Sequence, residues 1–189
     1  MSSYKRIHIY GHVSAQPQAI ANLFDAQLAS EIVAESDLAI FAINPAAGVD
    51  QKTIDQWQAL SDFQLPRLVV VNELDGSDAD FEDAIMLANR VFDQLVTPYL
   101  VLHSESGSPI ALISLSDLQI IDYSTNPPTT SASDVEHQEL VAEFREEYLD
   151  EIAGAGENAF AAGLLFPAIP IVISNGLGID VVKRFIDQL

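Results

Sequence analysis

The chain has 189 residues, 28 of them acidic and 8 basic, for a formal net charge of −20, and it contains no cysteine. That length fits one domain able to bury a good core, and the missing thiols exclude disulfides, thiolate catalysis and cysteine metal sites. A field of this sign repels phosphate backbones, so direct nucleic-acid binding is not expected. No apolar run approaches the ~18 residues of a membrane span, the amino terminus has no signal-peptide pattern, and a cytoplasmic location is the default expectation.

Ile7 to Tyr10 reads as a short strand. Gln16 to Glu35 has helical spacing, with Ile20, Leu23, Phe24, Leu28, Ile32 and Val33 on one face. Leu38 to Ile43 is continuously apolar, as in a parallel strand buried on both sides. A helix over 50–63 places Ile54, Trp57 and Leu60 inward, and Leu68 to Val71 is the next buried strand. A helix is predicted over 78–95, with Asp78 as its N-cap and acids in its first turn.

The pattern then changes. Segments 99–103, 110–114 and 118–122 read as short strands, with a hairpin turn at 104–107. Segment 125–133 is polar, contains two prolines and reads as a mobile loop. An acidic amphipathic helix is predicted over 135–152, its apolar side Leu140, Val141, Phe144, Tyr148 and Leu149 read as core. A buried strand over 168–174, a Gly-containing loop and a closing helix over 179–189 follow. Strands alternating with helices argue an α/β parallel sheet, so the chain is read as one domain over 1–189, with a small β-rich insert and loop at 97–133.

Two stretches carry the strongest signal. Asp37 to Asp50 ends a buried strand in Ala47-Gly48-Val49, and Leu68 to Val71 ends in Asn72-Glu73-Leu74-Asp75. With Gln51, Trp57, Pro66-Arg67 and Ala79-Asp80-Phe81, they resemble the amino-terminal GTPase domain of translation elongation factor G and the related ribosomal protection proteins. The resemblance runs on through Pro98 to Tyr123, the acidic helix, and Ile171-Val-Ile-Ser174 followed by Gly178-Ile-Asp-Val-Val. It is looser at Ile9 to Ile20. It implies a three-layer P-loop-GTPase-like α/β fold and places guanine recognition at Asn72, Asp75 and Ser174.

The departures are concentrated where the chemistry would be. Phosphate loops use glycines so that backbone N–H groups approach the phosphates, and a Lys to neutralise them. Against the family pattern, the loop beginning at Gly11 and His12 has Gln16 for the second Gly, Pro17 for the Lys and Gln18 for the Thr. Pro17 also removes an N–H donor. No room remains for the switch segments or the Asp-x-x-Gly loop, and Glu73 stands where a Lys would pack along the base. Asn72 and Asp75 also suit the plainer job of finishing a strand and capping a turn.

Loss of the switch strands is expected to leave a parallel sheet of about four core strands with Ile7 to Tyr10 at an exposed edge. Such edges are usually covered or paired, here by the amino terminus or in a homodimer. Among His8, His12, His103 and His137 no metal spacing occurs, and Ser104, Ser106 and Ser174 lie in no nucleophile elbow. No catalytic residue, metal or cofactor is assigned. The leading expectation is a non-catalytic GTPase-like module acting on a protein partner, with a translation-related role. The alternatives are a weak guanine-nucleotide sensor using Asn72, Asp75 and Ser174, and an unrelated enzyme using Tyr10, Gly11, His12, Asn44 and Asn72 in the strand-end crevice.

Overall fold

A computed structural model describes residues 4–75 and 80–189. In chain order the elements begin with β1 (Ile7–Gly11), a 3₁₀ turn (Val13–Ala15), α1 (Pro17–Leu23), β2 (Gln27–Leu28), β3 (Leu38–Ile43), α2 (Gln51–Ser61), β4 (Arg67–Val71) and α3 (Phe81–Ala88). There follow β5 (Leu95–Val96), β6 (Tyr99–His103), β7 (Pro109–Ser114), β8 (Gln119–Asp122), β9 (Thr129–Ala132), α4 (Val135–Leu140), α5 (Ala142–Ala155), β10 (Phe166–Pro170) and α6 (Ile179–Ile186).

The result is a mixed α/β architecture with two sheets. One is six-stranded and parallel, ordered β2-β1-β3-β4-β10-β5; the other is four-stranded and antiparallel, ordered β6-β7-β8-β9. β3 and β4 are buried at every residue, because neighbours lie on both edges and apolar side chains leave both faces. Alternation puts Tyr10 and Phe41 on one face, where their rings stack at 5.0 Å, and Trp57 of α2 meets Phe41 edge-on at 5.0 Å.

Arg67 is a polar exception in this core, 2% exposed. Its guanidinium lies 4.2 Å from the Trp57 ring centre and 4.3 Å from that of Phe166. It donates to Trp57 O and Ser61 Oγ and pairs with Asp93 at 3.5 Å. Asp93 also accepts the Trp57 indole N–H at 2.9 Å, so one carboxylate ties both partners.

Several expectations are corrected. The helix predicted over 16–35 ends at Leu23, and the chain turns through Asp25 at φ 51°. Gln27 and Leu28 then pair with His8 and Ile9. β1 therefore has a neighbour on each side, and the premise of a dimer through its exposed edge disappears. The parallel sheet has six strands rather than four because this two-residue strand and β5 cap its ends. The helical spacing misled because Ile32 is 40% exposed and Val33 instead donates its N–H to the Tyr10 hydroxyl at 3.0 Å.

Within the 125–133 stretch read as a loop, Thr129 to Ala132 pair with β8, Gln119 opposite Ala132. β-branched threonines suit that pairing. The helix predicted over 135–152 is two helices, broken at Val141 (φ −101°, ψ 4°). Of its apolar side only Val141, at the break, is buried: α4 and α5 themselves contain no buried residue, and Leu140 is 71% exposed. Asp78, expected as a helix N-cap, lies outside the described residues; α3 starts after Asp80, whose carboxylate accepts from Asp83 N at 2.8 Å. The final strand starts two residues earlier than expected, at Phe166. No helix among the described residues is long and apolar enough to cross a membrane.

Candidate functional site at the strand-end crevice

The carboxyl ends of β1, β3 and β4 converge on one loop. Gly11 ends β1 at φ 145°, where an added Cβ would stand 2.5 Å from Ala42 O on the adjacent strand. Only glycine fits so close an approach. His12 then caps the 3₁₀ turn: its Nδ1 accepts from Ser14 N at 3.2 Å and lies 2.8 Å from Ser14 Oγ.

Gln16 joins that turn to α1 in the left-handed conformation, φ 53°. Pro17 occupies the first turn of α1, where its missing N–H costs nothing and its fixed φ is already helical. Gln16 donates from Nε2 to Glu73 Oε1 across the crevice mouth. Glu73 is itself left-handed, φ 65°. Two non-glycine residues in this region cost of order 1 kcal/mol each, so their backbone geometry is imposed by the loops around them.

Two amides hold the loop from beneath. Asn44 Nδ2 donates to Ser14 O and Asn72 Nδ2 to Ala15 O, each at 3.0 Å. Asn72 is 2% exposed, so its bond is made away from competing water. Asp75 stands farther out and accepts from Ser174 Oγ at 2.9 Å, joining the β4 and β10 loops. Behind Ser174, Gly178 opens α6 at φ 78°, where an added Cβ would fall 1.9 Å from Pro170 O.

The structure therefore gathers Gly11, His12, Gln16, Asn44, Asn72 and Glu73 around one crevice, with the Asp75–Ser174 pair beside it. Gln18 bonds along α1, donating to Asn22 Oδ1 at 3.2 Å, and lines a cavity beside the loop. Tyr10, counted among convergent groups for an enzyme, is fully buried in the aromatic core, because alternation along β1 points it into a face of the sheet. His8 likewise points away: its Nδ1 lies 2.6 Å from Ser36 Oγ, and burial, reinforced by Arg6, holds its imidazole below the usual value.

Sequence reasoning named Gln16 and Glu73 separately as departures but missed that they meet. The signal was available: both residues were already marked as departures from one and the same family pattern. Lys52 was missed too. It lines, with Gly11, Val13, Pro17 and Leu28, a cavity of about 590 Å³ beside the loop. Among the described residues no group of three or more His, Asp or Glu side chains is placed to hold a metal ion.

No family model matches the chain. It is 32% identical over 164 residues to the elongation factor G-like protein of Mycobacterium tuberculosis, covering 76% of this chain and 23% of that protein. It is 27% identical over 124 residues to the mitochondrial ribosome-releasing factor 2 of Drosophila melanogaster, covering 62% of this chain and 17% of that one. A solved structure from Thermus thermophilus superposes with a TM-score of 0.71 at 21% identity, covering 82% of this chain and 26% of that one. The chain thus spans about a quarter or less of the length of the proteins it matches.

Proposed function

We propose that this chain, a relative of the elongation factor G-like proteins and ribosome-releasing factors over most of its length, is a P-loop-GTPase-like module that no longer hydrolyses GTP and acts by binding in a translation-related setting. The observation that carries the reading is the Gln16–Glu73 hydrogen bond. It closes the crevice mouth with the chain's own side chains and sets a carboxylate beside the base position, adding negative charge next to a site for an anionic nucleotide. Phosphoryl transfer needs oriented N–H donors, a cation on the phosphates and a held Mg²⁺. Here Pro17 offers no N–H, no Lys stands in the loop, and Gln18 stands where a Thr would hold the metal.

The relatives' names revise one expectation. A factor that releases ribosomes acts on an assembly of protein and RNA, which weighs against the absence of nucleic-acid contact expected from charge. The proposal is accordingly a ribosome-associated or factor-associated role, with contacts made where the surface is least acidic.

The test is thermal unfolding with GDP or GTP at millimolar concentration with Mg²⁺. A ligand that binds only the folded state raises the midpoint once its concentration exceeds the dissociation constant. No shift is expected. A clear rise that Asp75→Ala abolishes would overturn the reading in favour of the guanine-nucleotide sensor, for which the Asp75–Ser174 pair is the one favourable observation.

A further inference from the structure

The parallel sheet's far side carries a second cavity, unrelated to the crevice. A pocket of about 370 Å³ lies between α3 and α5. Its walls are Phe81, Ile85, Leu95 and Leu100, all buried, with Met86 and Phe144 at its mouth, 54% and 44% exposed. This pocket separates the two helices: α5 runs fourteen residues yet buries none.

Three carboxylates, Glu82, Glu147 and Glu151, line the same space, and none of its lining residues is Lys, Arg or His. Of these, among the described residues, only Glu151 has a side-chain partner, the neutral Gln94 amide at 3.2 Å. Burial, as the first cause, holds Glu82 and Glu151 above the usual carboxylate range. The pocket is open at one side, and its volume is that of a small-molecule site, too small for a docked helix. His103 is the one titratable base that acts on Glu82, from outside the pocket, and apolar walls with carboxylates that no Lys or Arg of the lining neutralises call for hydrocarbon bearing positive charge. The chain's −20 field raises the local concentration of such a ligand.

We propose that the α3–α5 pocket binds a linear aliphatic polyamine, its methylenes against Phe81, Ile85, Leu95 and Phe144 and its ammonium groups on Glu82 and Glu151. Bound there, it supplies the packing that α5 lacks and fastens that helix to the sheet.

Calorimetric titration of the full chain with 1,4-diaminobutane and 1,8-diaminooctane, and with Mg²⁺ as a purely ionic control, separates pocket binding from counter-ion attraction. Burial of methylene groups strengthens binding by about fourfold each, so the longer diamine is expected to bind at least about tenfold tighter than the shorter. Phe144→Ala should weaken the longer diamine several-fold and the shorter one little. Glu82→Gln and Glu151→Gln should weaken both, while Glu143→Gln, outside the pocket, should weaken neither. Phe144 is half exposed, so its truncation leaves the fold intact, which far-ultraviolet circular dichroism checks. Equal affinity for both diamines, displacement by Mg²⁺ at equal charge, or indifference to Phe144→Ala would show an ion atmosphere only and overturn the proposal.

Discussion

The two ends of the parallel sheet handle buried polarity in opposite ways. At the amino end of β4, one cation, Arg67, is sealed between two aromatic rings and tied to a half-exposed carboxylate. At the carboxyl ends, neutral amides do the work: Asn44 and Asn72 hold the carbonyls of a loop, and Gln16 reaches over to Glu73. The first arrangement binds secondary elements into a core. The second fastens a loop at the strand-end crevice. The difference teaches that a core is tied by a buried charge held between rings, whereas the crevice at the carboxyl ends of an α/β sheet is held in shape by neutral amides bonded to loop carbonyls.

Breaking the amino-terminal knot should have the largest effect. Arg67→Ala removes two ring contacts and the hydrogen bonds to Trp57 O and Ser61 Oγ and leaves a cavity in the core, so a loss of about 3–4 kcal/mol is expected in denaturant unfolding. Asp93→Asn keeps an acceptor for the indole but removes the counter-charge, and should cost roughly 1–2 kcal/mol. If both substitutions cost under about half a kcal/mol, within the range of ordinary surface changes, the knot is decoration rather than core.

The crevice end should respond less, and unevenly. Gly178→Ala is expected to cost about 2–3 kcal/mol, since its Cβ would collide with the Pro170 carbonyl and its positive φ is unfavourable to side chains. Asn72→Ala strands Ala15 O and should cost about 1–2 kcal/mol. It should also speed amide exchange in the 12–16 loop, a change that hydrogen exchange reads directly and that Arg67→Ala should not produce selectively.

Gln16→Gly should be close to neutral. Losing an exposed side-chain hydrogen bond is offset by relief of the left-handed backbone at φ 53°. A loss above about 1.5 kcal/mol, the upper end for one ordinary hydrogen bond, would mean that the Gln16–Glu73 contact is a principal fastening rather than a cover. The smallest effect is one of pH. His8 is depressed in the fold, so its contribution is present above the unfolded imidazole value of about 6.5 and is lost as pH falls through that value toward the folded one. His8→Asn should therefore flatten the stability curve below about pH 6.5 while leaving its slope unchanged above about pH 8.

Much of this molecule was fixed locally. The continuous apolar runs at 38–43 and 68–71 can only be strands covered on both faces, and β3 and β4 are that. The resemblance grouped Asn72, Asp75 and Ser174, and in the fold Ser174 Oγ donates to Asp75. That Gln16 and Pro17 depart from the phosphate-loop pattern the sequence resembles was legible from residue type alone, since proline carries no backbone N–H and neither residue is a cation. The relation to elongation factor G-like proteins was equally legible over residues 37–123.

Tertiary structure decided what short-range patterns cannot carry. A two-residue strand such as Gln27–Leu28 has no periodicity; it exists because β1 offers unpaired backbone groups beside it. The stripe Leu140, Phe144 and Tyr148 has the spacing of a core face, but spacing reports only that side chains share a side of a helix: Tyr148 packs on the core while Leu140 and Phe144 stay exposed. Whether α5 packs closed or leaves a cavity depends on the distance to α3, which the positions of two helices far apart in the chain do not encode. The Gln16–Glu73 bridge likewise joins residues brought together only by β1 and β4 ending at the same height on one sheet.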